Sequence, residues 1–151
     1  MYGDQIANEV SRHFMHELKR FYATELLQQS QEGSHHDERV IQIQEQLRSR
    51  FSQPTNMADM AYHFGMSVRP LNRRFKAATN KSPTEYLQSV RLGEVTGLLK
   101  DSNLNIAEIT HQVAYNDSSY FTGRFTKAFG LNPKEYRRLV RSKQFRVNQD
   151  L

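Results

Sequence analysis

Apolar residues recur at helical intervals along nearly the whole chain. Ile6, Val10, Phe14, Leu18, Phe21 and Leu26 share one face of residues 4–28, with Glu9, Arg12, Lys19 and Arg20 between them. That pattern predicts an amphipathic helix. The next stretch, QQSQEGSHH at 28–36, is polar, holds Gly33 and has no periodicity, so it reads as a linker. A second helix is expected from about Asp37 to Phe51, with Val40, Ile43, Leu47 and Phe51 on one face and Pro54 as its stop. Short helices then follow one another. Thr55 or Asn56 caps one over about 57–64, and Ser67 caps one over about 68–79. Pro83 sits in the first turn of a longer one to about 101. Asn105 caps about 106–113, Asp117 caps about 118–129, and Pro133 opens about 133–141. Nothing alternates as a strand does, and the expected fold class is all-α.

The second half of this series repeats the first. MADMAYHFGM matches IAEITHQVAY, and SVRPLNRRFKAATNKSPTEY matches DSSYFTGRFTKAFGLNPKEY. The pairs Ala58/Ala107, Arg74/Arg124, Phe75/Phe125, Ala78/Ala128, Pro83/Pro133, Glu85/Glu135 and Tyr86/Tyr136 are identical. Each copy reads as a short helix, a tight turn (Phe64-Gly65-Met66 or Val113-Ala114-Tyr115), an N-cap and a second helix with polar residues on its outer face. This is the grammar of a helix-turn-helix. A solenoid is the alternative, but solenoid units stack without a gap and usually number three or more. Here two units are joined by a helix of roughly 18 residues, about 27 Å long at 1.5 Å per residue. That is a little under the ~34 Å of one turn of B-DNA. The expected architecture is two helix-turn-helix subdomains on a long linker helix, preceded by the N-terminal amphipathic helix.

Charge sharpens the picture. The chain of 151 residues carries a net +5. Residues 1–37 hold 3 basic and 6 acidic side chains, whereas residues 38–146 hold 18 basic and 9 acidic. The basic excess belongs to the repeat and suits a polyanion, because each neutralised phosphate releases counterions. On the first candidate recognition helix, about Val68–Thr79, the side chains of Arg69, Asn72, Arg73 and Lys76 fall on one face, with Leu71 and Phe75 on the other. Arg can pair bidentately with guanine and Asn with adenine. On the second, about Ser118–Phe129, the positions Ser118, Ser119, Thr122 and Gly123 would face the groove, and long donors are missing. Tyr120 fits either the backbone or the core. The packed residues are expected to be Met57, Met60, Ala61, Phe64, Leu71, Phe75, Tyr86, Leu87, Leu98, Leu99, Ile106, Ile109, Val113, Phe121, Phe125, Phe129 and Tyr136.

Residues 38–141 resemble the C-terminal domain of AraC/XylS-type transcription regulators. The match is carried by MADMAYHFGMSVRPLNRRFKAATNKSPTEYL, VRLGEVTGLL and IAEITHQVAYNDSSYFTGRFTKAFGLNPKEYRR. The resemblance implies sequence-specific reading of double-stranded DNA in two successive major grooves, with base contacts from Arg69, Asn72, Arg73, Ser118, Ser119 and Thr122. Phosphate contacts are expected from Arg74, Lys76, Lys81, Arg124, Lys127, Lys134 and Arg137. Arg91 matches a position the family usually fills with Arg, and either an internal salt bridge or a phosphate contact is expected of it. The chain departs from the family pattern at three places. Gly123 stands where an Arg is common, and this implies less direct base reading by the second unit. Ala114 replaces the usual turn Gly, which suggests a turn that does not require positive φ. Gly93 and Gly97 lie inside the linker helix, where they suit close packing, a bendable linker or an ordinary solvent-facing weakness. Residues 3–27 resemble the closing helix of an amidase-like (PfpI-type) domain.

Other chemistry is missing. There is no Cys, hence no disulfide, thiolate site or thiol nucleophile. His13 and His16, and His35 and His36, lack further ligands in register for a metal. No hydrolase, metalloprotease, P-loop or dinucleotide fingerprint appears, so no enzyme activity and no cofactor is expected. No apolar run is long enough to span a membrane, and the N-terminus has no secretory h-region, which makes cytoplasmic the expected location. The expected boundaries are 1–36 for the helix and linker, 37–142 for the DNA-binding domain and 143–151 for a tail. Double-stranded DNA is the expected partner. RNA polymerase is a further candidate, and the apolar stripe of residues 4–28 is a candidate homodimer surface.

Overall fold

Seven helices make up the regular structure of the described residues, and local sequence explains where each begins. The computed structural model describes residues 36–149, with side chains to Ser142. The amphipathic helix expected over 4–28, the linker before His36 and the amidase-like resemblance of residues 3–27 lie outside the described residues. In chain order the helices are α1 (Glu38–Ser49), α2 (Met57–His63), α3 (Val68–Thr79), α4 (Pro83–Asp101), α5 (Ile106–Gln112), α6 (Ser118–Phe129) and α7 (Pro133–Gln149), with no strand among the described residues.

The starts are capped by side chains, which satisfy amide donors that have no partner within the helix. The Asp37 carboxylate accepts from the Val40 amide, Asn56 from Ala58 and Asp59, and Asp117 from Ser119 and Tyr120. Ser82 with Glu85 and Asn105 with Glu108 form reciprocal capping boxes. Ser67 departs from expectation: it occupies the N-cap position of α3, but its hydroxyl makes no capping bond. The third residue of that helix is Pro70, which has no N–H to offer.

Two cores are built on one shared helix. The first collects Val40, Ile43 and Leu47 of α1, Met60 and Ala61 of α2, Leu71 and Phe75 of α3, and Tyr86 and Leu87 at the start of α4. The second collects Leu92, Val95 and Leu99 further along α4 with Ile109, Val113, Tyr115, Phe121, Phe125, Phe129 and Tyr136. The expected core residues Met57, Phe64, Leu98 and Ile106 are partly buried against these clusters. α4 thus presents apolar residues around its circumference, as a helix covered on several sides must. Phe51 lies beyond the end of α1 and packs against both cores.

α1 stands to the first unit as the C-terminal half of α4 stands to the second, and arginines repeat the relation. The guanidinium of Arg91 is buried and donates to the carbonyls of Phe51 (3.0 Å) and Gln53 (3.0 Å), just past α1. Among the described residues it forms no salt bridge, because carbonyls just past the end of a helix supply the negative potential instead. Its counterparts at the end of α4 are Arg137, which donates to Leu99 O (3.1 Å) and Ser102 O (3.4 Å), and Arg141, which also donates to Ser102 O. The last helix runs on to Gln149 instead of ending near 141, so most of the expected tail is helical. Its sequence there, RSKQFRVNQ, contains no Pro or Gly to stop it. A Cβ built on Gly93 or Gly97 would meet nothing within 4 Å, so neither glycine serves a close helix approach.

Candidate nucleic-acid interface

Both turns close in the same way. In the first, the Gly65 amide donates to Tyr62 O (3.0 Å) and the Met66 amide to Ala61 O (2.9 Å); in the second, Ala114 donates to His111 O (3.0 Å) and Tyr115 to Thr110 O (3.0 Å). This pair of bonds is the Schellman closure, which places the residue after the C-cap in the left-handed region. Gly65 takes it at φ +71° and Ala114 at φ +61°. The expectation that Ala114 signals a turn without positive φ is therefore corrected. The closing bonds impose the geometry whatever residue stands there, and Ala bears a steric cost that Gly avoids.

The turns set α3 and α6 against their cores by one face only. Leu71 and Phe75 of α3 are fully buried, as are Phe121 and Phe125 of α6. The opposite face of α3 presents Arg69, Asn72, Arg73 and Lys76, all exposed. Among the described residues no hydrogen bond or ion pair ties those four side chains down. They form a preassembled row of donors, which matches the face expected from spacing. On α6 the residues Ser118, Ser119 and Gly123 are exposed and Thr122 is half-buried. This second face carries short hydroxyls and a bare backbone position.

The expected phosphate contacts divide. Lys127 and Lys134 are exposed, and Lys81 donates to the Ser89 hydroxyl at 3.2 Å. Arg74 is engaged elsewhere: its Nε and Nη2 grip the two Asp37 oxygens at 2.6 and 3.0 Å. The hydrogen bond from Arg74 holds the Asp37 carboxyl below the ordinary carboxylate range, against the opposing effect of burial. Asp37 therefore caps α1 and clamps α3 at once. Arg137 is turned to the carbonyls at the end of α4, and burial lowers its pKa. Arg124 lies over the Tyr120 ring, with 5.9 Å to the centroid.

Two tyrosines take their places only in the structure: Tyr120, which by sequence fits either the backbone or the core, and Tyr115, which is not among the expected core residues. Tyr120 is neither core nor free. It is 53% exposed on the first turn of α6, and its ring stands 6.2 Å from that of Tyr115. The available signal was its neighbour: Phe121 already occupies the core slot, so Tyr120 must point to the flank. Tyr115, in the turn itself, is buried at 6% exposure and hydrogen-bonds through its hydroxyl to Gln88 of α4. Burial raises its pKa, and the nearby guanidiniums of Arg124 and Arg91 oppose that. No helix among the described residues is long and apolar enough to cross a membrane.

Comparison with known proteins places this geometry. A family model described as a helix-turn-helix domain matches residues 60–139. The HTH-type transcriptional activator RhaS of Klebsiella pneumoniae is 30% identical over 108 residues, covering 72% of this chain and 39% of that protein. The chain spans less than two-fifths of the length of the curated relatives it matches. Among solved structures, the C-terminal domain of AraT, a response regulator of Geobacillus stearothermophilus, superposes with a TM-score of 0.66 at 29% identity, covering 70% of this chain and 88% of that one. The DNA-binding domain of AdpA, solved in complex with a target DNA, shares the fold with a TM-score of 0.66 at 21% identity, over 69% of this chain and 94% of that one. With the repeated units, the exposed second helices and the matched model in agreement, the chain belongs to the AraC-type helix-turn-helix family of DNA-binding transcription regulators.

Proposed function

We propose that residues 37–142 bind double-stranded DNA sequence-specifically by seating α3 and α6 in two successive major grooves on one face of the duplex. The observation that carries this is the repeated unit. Two helices in equivalent surroundings each bury one face completely and leave the other exposed, and the 19 residues of α4 lie between the units. At 1.5 Å per residue that helix spans about 28 Å, close to one turn of the duplex.

In this reading Arg69, Asn72 and Arg73 contact base edges in one groove, and Ser118, Ser119 and Thr122 do so more weakly in the next. Lys76, Lys81, Arg124, Lys127 and Lys134 serve the phosphates. Arg74 and Arg137 have structural partners first and stand as secondary phosphate contacts. The test is affinity of the chain for a random duplex pool over a salt series, with sequencing of the bound fraction. One enriched motif with two elements about one turn apart is the expected result. Enrichment of one short element would assign reading to α3 alone. A steep salt slope with no enriched motif would reduce the chain to a non-specific phosphate binder. Arg73→Ala should weaken binding by about 1–3 kcal/mol and relax one base position. Unchanged affinity in both Arg69→Ala and Arg73→Ala would refute the assigned face.

The apolar stripe from Ile6 to Leu26 favours a compatible second role in self-association. Sedimentation of the intact chain and of a form starting at Ser34 tests it. A monomer in both would remove the idea.

A further inference from the structure

The internal repeat serves as its own control: contacts present in one copy and missing from the other are not needed to build a helix-turn-helix. Arg91 is one such place. Both Arg91 and its counterpart Arg141 donate to carbonyls at the end of the preceding scaffold helix. Only Arg91 also reaches across to the other unit, where its guanidinium lies over the Tyr115 ring, 5.8 Å from the centroid. The residue equivalent to Tyr115 in the first turn is Met66, which packs into its own core. A Schellman turn closes equally well with either residue, so the aromatic hydroxyl is not there for the turn.

We propose that Arg91, Tyr115 and Gln88 form a strut that fixes the angle between the two reading helices, with Arg91 as its positioning residue. One end of the strut is the carbonyl pair of Phe51 and Gln53, which belongs to the first unit. The other end is Tyr115, two residues before the N-cap of α6, so its position aims that helix. Gln88 ties the Tyr115 hydroxyl back to α4. The guanidinium suits the task because its planar fork serves two carbonyls at once and stacks on a ring; an ammonium cannot do all three. Arg91 is only 7% exposed and Tyr115 only 6%, so the strut is shielded from the water that would compete for it. The inference extends the two-groove reading, because two elements are read together at one spacing only if the helices keep one angle.

The chain contains no cysteine, which allows paired spin labels at Ala77→Cys and Ala128→Cys, exposed positions on α3 and α6. Distance distributions are measured without DNA in the otherwise unchanged chain, in Arg91→Lys and in Tyr115→Met, which installs the residue found in the first copy. The expected result is a single narrow peak in the parent and its loss in both variants, with helical content unchanged. The same narrow peak in a folded variant of either kind would overturn the proposal, and Tyr115→Met carries the test if Arg91→Lys fails to fold. The variants then go through the random duplex selection. The parent should enrich one spacing between elements, and the variants the same elements at several spacings. A parent that enriches a single element defeats the two-groove reading, while the strut still stands or falls on the distance distributions.

Discussion

Replacing Ala114 by glycine should stabilise the protein, although it removes a methyl group and fills nothing. Ala114 sits at φ +61° because the Schellman closure at the end of α5 demands it. A residue with a Cβ bears about 1–2 kcal/mol of steric cost in the left-handed region. Glycine relieves that cost but returns about 0.4–1 kcal/mol through the greater freedom of the unfolded chain. The net gain is about 0.5–1 kcal/mol, which corresponds to roughly 2–5 °C in Tm for a domain of this size. Gly65 supplies the mirror experiment. It occupies the equivalent position at φ +71°, and a Cβ built there would meet nothing within 4 Å. Gly65→Ala therefore isolates the backbone cost and should lower stability by a similar amount. Urea and thermal unfolding followed by circular dichroism measure both, with an unchanged m-value as the check that unfolding stays two-state and exposes the same surface. If the two substitutions shift the midpoint in the same direction, or Ala114→Gly lowers it, the reasoning from backbone geometry is refuted.

Further predictions concern the caps, the acid range and the second reading helix. Asp117→Ala should cost about 1 kcal/mol in urea unfolding, because Asp117 accepts from two amides, whereas Ser67→Ala should cost far less because Ser67 caps nothing. Asp37→Ala should cost about 0.5–2 kcal/mol at neutral pH from loss of the cap. The folded pKa of Asp37 is depressed, chiefly by Arg74. Its contribution is therefore present above the unfolded value of about 3.9 and lost as pH falls below it. Unfolding midpoints of wild type and variant should converge across that window, and a constant gap would contradict the ion pair. Gly123→Ala should stabilise α6 by about 1 kcal/mol, since a Cβ there would meet nothing within 4 Å. A fall in the midpoint would mean that the glycine is structurally required.

Much of this fold was legible because its signals are local. Pro83 and Pro133, the N-cap residues Asn56, Asn105 and Asp117, and the apolar period of each short helix mark elements whose starts follow from the chain within a turn. The exposed row on α3 was legible for the same reason, since spacing alone puts Arg69, Asn72, Arg73 and Lys76 opposite Leu71 and Phe75. The illegible parts depend on partners far away in sequence. Nothing near Arg74 announces Asp37, and nothing near Arg91 announces the carbonyls of Phe51 and Gln53. The local composition of the second turn does not bury Tyr115; α4 does. Ala114 misled because residue preference is a weak prior, and the two closing hydrogen bonds of the turn outweigh it.

The shared helix α4 has a consequence for how such a protein can be divided or extended. Each unit borrows a wall: the first uses α1 and the start of α4, the second the rest of α4 and α7. No cut within α4 yields two complete readers, because one half loses its floor and the other its support. Growth at the far end is a different matter. α7 leaves the second unit much as α4 leaves the first, running on as a helix to Gln149. The architecture resembles terraced housing, in which a party wall serves both neighbours and the last house already carries the wall for the next.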